Sequence, residues 1–219
     1  MSTPPESASP PPASPPRPAH RFLWVALACA ACLVALVVGL VRPREEPLQR
    51  LGRLPDFTFT RQDGQPFGLK QLKGKPFVAN FIFTRCPTIC PVFTAKLARF
   101  QKQTAGLGGE LALVSFSVDP KYDTPERLTA YAAKHGADPA RWSFLTGDYE
   151  QLKETVVGGF KIAMGREGED ENDIPSIFHG SHFVLVDRTG EIRGYYNSEY
   201  DDAVDSLRHD AERLVRSGE

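Results

Sequence analysis

Apolar and polar positions divide the chain into three regimes. Residues 2 to about 20 are dominated by Pro, Ser and Ala and contain no large apolar side chain. Such a stretch buries too little surface to offset its chain entropy, and its prolines favour extended backbone, so residues 1–20 read as a disordered tail. Phe22 to Val41 is a run of twenty residues without a charge. A helix of that length spans about 30 Å, the thickness of a bilayer's hydrocarbon layer. Arg21 and Arg42 bracket the run, and Trp24 lies near its first boundary, where interfacial aromatics are favoured. Residues 21–42 are therefore expected to form a transmembrane helix. The competing reading is a cleaved signal peptide, against which stand the length of the run and the lack of a small-x-small site after it. Residues 43–53 form a short charged tether.

From Leu54 to Glu219 the pattern is that of a globular domain. Phe57 to Thr60 alternates, and Asp63-Gly64 signals a turn before Phe67 to Leu69, which predicts a hairpin. Phe77 to Phe83 is nearly all apolar, as a strand covered on both faces should be, and Leu111 to Val118 repeats that pattern. Between them Phe93, Leu97 and Phe100 recur at helical spacing from Pro91 to about Gln103. Thr124-Pro125 places a cap residue before a proline, the start of a helix whose inner face is Leu128, Tyr131 and Ala132. A short strand around Trp142 to Leu145 follows, then a helix opening at Asp148 and running to about Val157. Phe183 to Val186 and Ile192 to Tyr196 flank a turn at Asp187 to Gly190, and Val204, Leu207, Ala211 and Leu214 mark a final amphipathic helix. Alternating strands and helices make a parallel-containing sheet with helices on both faces. With the closing hairpin adding antiparallel strands, this is the α/β thioredoxin-like architecture.

Composition removes alternatives. The 26 basic and 27 acidic residues give a net charge of −1, which leaves no electrostatic footprint for nucleic acid. Eight of the 19 prolines lie between Pro4 and Pro18, so the proline excess describes the tail and not the domain. Four cysteines are too few for a disulfide framework in 219 residues. Cys29 and Cys32 lie inside the apolar run, where they read as small packing residues. Cys86 and Cys90 stand in FTRCPTICP, directly after a buried strand and at the mouth of a helix. Ligands in open α/β sheets bind outside the carboxyl ends of the strands, and a helix N-terminus lowers the pKa of a thiol placed there. An accessible thiolate serves both redox exchange and soft-metal binding. The CxxxC spacing allows a disulfide and also leaves room for a metal ion, so spacing alone does not choose between them.

Among the histidines, His20 adjoins the apolar run, His135 precedes Gly136 at a helix end, and His209 lies on the last helix. His179 and His182 stand just before and at the start of a sheet strand, which the fold brings beside the Cys86/Cys90 loop. Asp119, at the end of the second buried strand, reads first as a loop contact and second as a partner of the site. Residues 166–173 (REGEDEND) read as a solvated acidic loop leading towards His179, with a docking patch for a basic partner as the alternative.

The combination FTRCPTICP, SVDPKYDTPERL, WSFLTG and FHGSHFVLVDRTGEI, in that order over roughly residues 54–215, resembles the Sco/SenC family. The resemblance implies a membrane-tethered thioredoxin-like protein that binds copper, as Cu(I) or Cu(II), and serves assembly of the dinuclear copper centre of cytochrome c oxidase. It implies Cys86 and Cys90 as ligands. The third ligand is the family histidine, which stands eleven residues before the glycine of the next turn; counting back from Gly190 gives His179 and leaves His182 for packing. Two thiolates and an imidazole suit copper, whereas zinc usually takes a fourth ligand. One departure is Thr88, where the family commonly has Asp between the cysteines; losing that charge alters the thiol pKa.

The expected partners are the copper-bearing subunit of cytochrome c oxidase, a second copper chaperone and the membrane, with the soluble domain on the periplasmic or equivalent side. Arginine counts around the span argue weakly for the opposite orientation, because long domains translocate largely regardless of flanking charge. The alternative activity is that of a thiol–disulfide oxidoreductase in which Cys86 and Cys90 are the catalytic pair. The place where thioredoxin-type enzymes carry a substrate-docking proline, before the strand that follows His179, reads His-Gly-Ser-His here, which weakens that alternative.

Overall fold

The computed structural model describes residues 19–40, 46–169 and 175–218. Two compact units result, one ending at Pro47 and one running from Leu48 to Glu219. In the first, α1 (Ala19–Leu40) is a helix of 22 residues. Its described side chains from Phe22 to Val37 are all exposed. The side chains of Arg21, Val38 and Leu40 fall outside the description, and among the described residues no helix is long and apolar enough to cross a membrane. The expected tail lies outside the described residues up to Pro18.

The second unit is an eight-stranded mixed sheet in the order β1 (Gly52–Arg53), β10 (Glu191–Asn197), β9 (His182–Val186), β4 (Phe77–Ile82), β5 (Ala112–Ser117), β6 (Trp142–Thr146), β2 (Thr58–Arg61), β3 (Pro66–Gly68). β4, β5 and β6 are parallel, and their neighbours on both sides run antiparallel. Gly52 and Arg53, within the stretch expected as a tether, form an edge strand against Ile192 and Glu191. β4 is buried at every position, because alternate side chains enter two separate cores. Phe77, Ala79 and Phe81 join one core; Val78 and Ile82 join the other. This is why its sequence lacks the polar alternation of a half-exposed strand.

The helices follow the sequence periodicity. Phe93, Leu97 and Phe100 of α3 (Ile89–Gln103), Leu128, Tyr131 and Ala132 of α4 (Pro125–Lys134), and Val204, Leu207, Ala211 and Leu214 of α6 (Asp201–Ser217) all enter the second core. α4 starts where expected, since the Thr124 side chain accepts from the Arg127 backbone N–H and Pro125 occupies the first turn. The turn between β9 and β10 needs Gly190 at φ +87°, while Asp187 accepts from Thr189 and Glu191 around it. On the other face, Phe57, Phe59, Phe81, Phe116 and Phe160 form a continuous aromatic cluster with ring centroids 5.1–6.1 Å apart. α2 (Leu69–Leu72) and α5 (Tyr149–Lys153) close this side with Leu69, Leu72 and Leu152.

One region differs from expectation. The helix opened by Asp148 continues beyond α5 as a single π-helical turn, Glu154–Gly159, and leads into Phe160. Residues 166–169, expected as part of an acidic loop, instead belong to β7 (Met164–Glu169), which pairs with β8 (Pro175–His179) as a separate two-stranded sheet. Charges and glycines from Gly165 to Glu169 hide that strand in the sequence, because they lack the apolar alternation by which a strand is recognised. The rest of the acidic run, from Asp170 to Asp173, lies outside the described residues.

Candidate metal centre

Cys86, Cys90 and His179 come from three different places in the fold. β4 ends at Ile82, and a tight turn follows in which the Cys86 N–H donates to the Phe83 carbonyl at 3.2 Å. α3 begins three residues after Cys86, with Thr88 at its N-cap, so Cys90 lies in the first helical turn. Pro91 is tolerated there because first-turn N–H groups have no intrahelical acceptor. The Cys90 N–H reaches back to Cys86 Sγ at 3.5 Å. His179 is the last residue of β8, and its register partner is Met164 of β7. The Gly180 N–H then donates to the Ala163 carbonyl at 3.1 Å, which fixes the histidine's backbone against β7. The imidazole stands edge-on to Phe83, with centroids 6.3 Å apart.

The result is that Cys90 Sγ lies 3.5 Å from His179 Nε2, and His179 Nδ1 lies 3.3 Å from the Gly180 carbonyl. With its Nδ1–H directed at that carbonyl, the ring turns the Nε2 lone pair towards the thiols. Both cysteines are free and largely buried. Their thiols are strongly unequal. The Cys86 thiol is lowered from 9.0 to about 5, first by the hydrogen bond from Cys90 and then by the backbone N–H groups of Cys90, Thr88 and Ile89, against the opposing effect of burial. Cys90, which gives that hydrogen bond and is more deeply placed, is raised. Burial lowers His179, opposed by the Gly180 carbonyl and the Cys86 charge. At neutral pH the site therefore holds a thiolate at Cys86, a thiol at Cys90 and a neutral imidazole.

This donor set suits a soft or borderline ion that accepts sulfur and nitrogen. Among the described residues no three His, Cys, Asp or Glu side chains already stand together as a metal-binding group. The contacts run pairwise through Cys90.

The remaining candidates are elsewhere. His182 opens β9, and its side chain lines a shallow apolar cavity of about 390 Å³ with Lys161, Ile162, Ala163, Gly180 and Tyr195. His135 caps α4 and lies against Tyr131 with the rings tilted and their centroids 4.4 Å apart, and His209 is exposed on α6. The His20 side chain lies outside the description. Asp119 is buried and accepts from Arg85 Nε at 2.9 Å, one residue before Cys86, so it acts as a loop contact beside the site. Asp123 was not singled out by its sequence position. Its buried carboxylate accepts from the Thr84 backbone N–H at 3.1 Å, from the Thr84 hydroxyl and from the Ser117 hydroxyl at 2.6 Å. A second aspartate four residues after Asp119, just before a helix start, was the only available signal. Thr88 is exposed and makes no side-chain cap bond.

Residues 46–215 match the family model described as SCO1/SenC. Over 158 residues the chain is 37% identical to the SCO1 protein homolog of Bacillus subtilis, covering 69% of this chain and 79% of that protein. Among solved structures, it resembles BsSco, described as having a disulfide switch and as a member of the Sco family of cytochrome c oxidase assembly proteins. That likeness has a TM-score of 0.67 and 32% identity, over 78% of this chain and 99% of that one. It also resembles Arabidopsis thaliana ScoI with copper bound, with a TM-score of 0.65 and 27% identity, over 76% and 99% of the two chains.

Proposed function

Because this chain belongs to the SCO1/SenC family, we propose that it is a membrane-anchored assembly factor that carries copper to the dinuclear copper site of cytochrome c oxidase, holding the ion with Cys86, Cys90 and His179. The observation that carries this reading is the approach of His179 Nε2 to Cys90 Sγ within a reduced cysteine pair. Its support from related proteins is the copper in the Arabidopsis thaliana structure and the oxidase-assembly role stated for BsSco.

Copper is the cargo. Cys86 meets it already ionised, His179 meets it as a neutral base, and Cys90 gives up one proton on loading. Release reverses this order: incoming thiolates of the oxidase subunit displace the site's ligands in turn, and a returning proton on Cys90 makes its rebinding unfavourable. The run from Phe22 to Val41 anchors the domain. It carries no charge over twenty residues. The test mixes copper-loaded full chain with a reduced peptide carrying the oxidase subunit's cysteine pair. Copper moving to the peptide supports delivery; copper retained at tenfold peptide excess contradicts it.

The thiol asymmetry also favours a second reading, a thiol–disulfide reductase. The Cys86 thiolate attacks a partner disulfide and one partner thiolate leaves. Cys90 then loses its proton and attacks Cys86 sulfur, which frees the second partner thiol and closes the Cys86–Cys90 disulfide. The two activities are compatible, since partner cysteines must be reduced before they accept copper.

A further inference from the structure

The loop that carries Cys86 is held from behind by a buried polar clamp that the proposed function does not use. Asp119 to Asp123 forms a tight turn after β5, in which the N–H groups of Tyr122 and Asp123 both donate to the Asp119 carbonyl, at 3.0 and 2.9 Å. Thr124 follows at once as the cap of α4, and Leu128 and Tyr131 seat that helix in the core. Asp123 therefore has a rigid mount. Its carboxylate, with no exposed surface, faces Thr84 and Ser117 and accepts from both hydroxyls and from the Thr84 backbone N–H. Ser117 Oγ in turn accepts from the Asp119 N–H at 3.1 Å. Thr84 stands two residues before Cys86. Asp123 makes no hydrogen bond to either cysteine among the described contacts: its grip on the loop runs through Thr84, while its charge also helps to raise the Cys90 thiol.

We propose that Asp123 is a positioning residue for Cys86: by gripping Thr84 it fixes the loop in the arrangement that the dithiol and metal-holding states need and that the disulfide does not. In the dithiol, the Cys90 N–H contact to Cys86 Sγ and the thiol–thiolate hydrogen bond depend on where the loop places Cys86. In the disulfide, a covalent bond fixes the same sulfur whatever the loop does. The clamp thus contributes more to the dithiol and makes the pair a stronger oxidant than it would otherwise be. Stabilising the reduced form raises the potential of such a pair. Burial pushes the Asp123 carboxyl up, but its hydrogen bonds from Ser117 and Thr84 oppose that shift. All three donors point at it, so an amide in its place would turn an NH2 group against one of them.

The experiment equilibrates the full chain, in detergent and with Cys29→Ser and Cys32→Ser, against glutathione and glutathione disulfide. Two thiols of the protein give two electrons and two protons to glutathione disulfide, forming the Cys86–Cys90 bond and two molecules of glutathione. Asp123→Asn is expected to lower the dithiol-to-disulfide ratio about tenfold at a given buffer, a shift of about 30 mV to more negative potential for a two-electron couple. Thr84→Val, which removes the hydroxyl and keeps the N–H, shifts it the same way by less, and Thr84→Ser restores the original value. A potential unchanged in Asp123→Asn and Thr84→Val, with only thermal stability lowered, overturns the proposal and leaves a purely structural carboxylate. If Asp123→Asn does not fold, the Thr84 pair decides alone. The metal-holding half rests on the function proposed above and is read separately: Asp123→Asn should bind Cu(I) at least tenfold more weakly. A parent protein that binds no copper would refute that function, while the potentials would still judge Asp123.

Discussion

Cys90 Sγ and His179 Nε2 lie 3.5 Å apart although 89 residues separate them in the chain. Two local structures create this contact. α3 starts immediately after the turn that follows β4, which puts Cys90 in a first helical turn beyond the end of a central strand. The β7–β8 pair then brings its last residue, His179, over that turn. Cys86, Cys90 and Met164 are buried in the same apolar cluster, with Ile177 packed against it, so the site depends on the core beneath it.

That dependence gives a first prediction. Phe116 packs at ring distance against Phe57, Phe59, Phe81 and Phe160, and Phe160 ends the π-helical segment that leads to β7. Phe116→Ala should cost about 3–5 kcal/mol of stability, as aromatic truncations in dry cores do. Urea denaturation checks this, and a loss under about 1 kcal/mol would mean the cluster repacks freely.

Thiol chemistry gives a second. With its pKa near 5, Cys86 should react with iodoacetamide at pH 6 while Cys90 remains protected, with the rate of modification halving near pH 5. Cys90→Ala removes the largest cause of that shift, so the midpoint should move up towards the ordinary 9.0. Mass spectrometry of the modified peptides reads both. Equal labelling of Cys86 and Cys90 at pH 6 would refute the asymmetry.

Stability should follow the same titration. Cys86 is lowered on folding, so its contribution is absent below about pH 5, grows between about 5 and 9.0, and is fully present above 9.0. Cys90 is raised, so its contribution is present below 9.0 and is lost as pH climbs beyond that value. The reduced protein should therefore gain stability from this pair as pH rises from 5 to 9 and lose it again above. Cys86→Ala should flatten the rise in denaturation experiments across that range; an unchanged slope would contradict the lowered thiol.

Much of this was legible in the sequence because its physics is local. The unbroken apolar run of β4, the 3.6-residue spacing of α3, α4 and α6, and the Thr124-Pro125 start of α4 each point to one structure regardless of their neighbours. Cys86 and Cys90 were legible for the same reason: a strand end followed by a helix start is a local arrangement. The strand pattern brings both His179 and His182 towards the cysteines, and only the family resemblance chooses between them; the structure puts His179 beside Cys90. The β7 strand is hidden because its charged, glycine-containing residues lack the apolar alternation that marks a strand. Asp123 was missed because its role is set by Thr84, thirty-nine residues earlier, and nothing in its own neighbours signals that partner.

The central claim is that His179 completes a copper site with the two cysteines. It is tested most directly by titrating reduced full chain carrying Cys29→Ser and Cys32→Ser with Cu(I) against a competing chelator, beside the same protein with His179→Ala. One ion per chain, bound at least tenfold more weakly without the imidazole, is the predicted result. Equal affinity in the two proteins would contradict it.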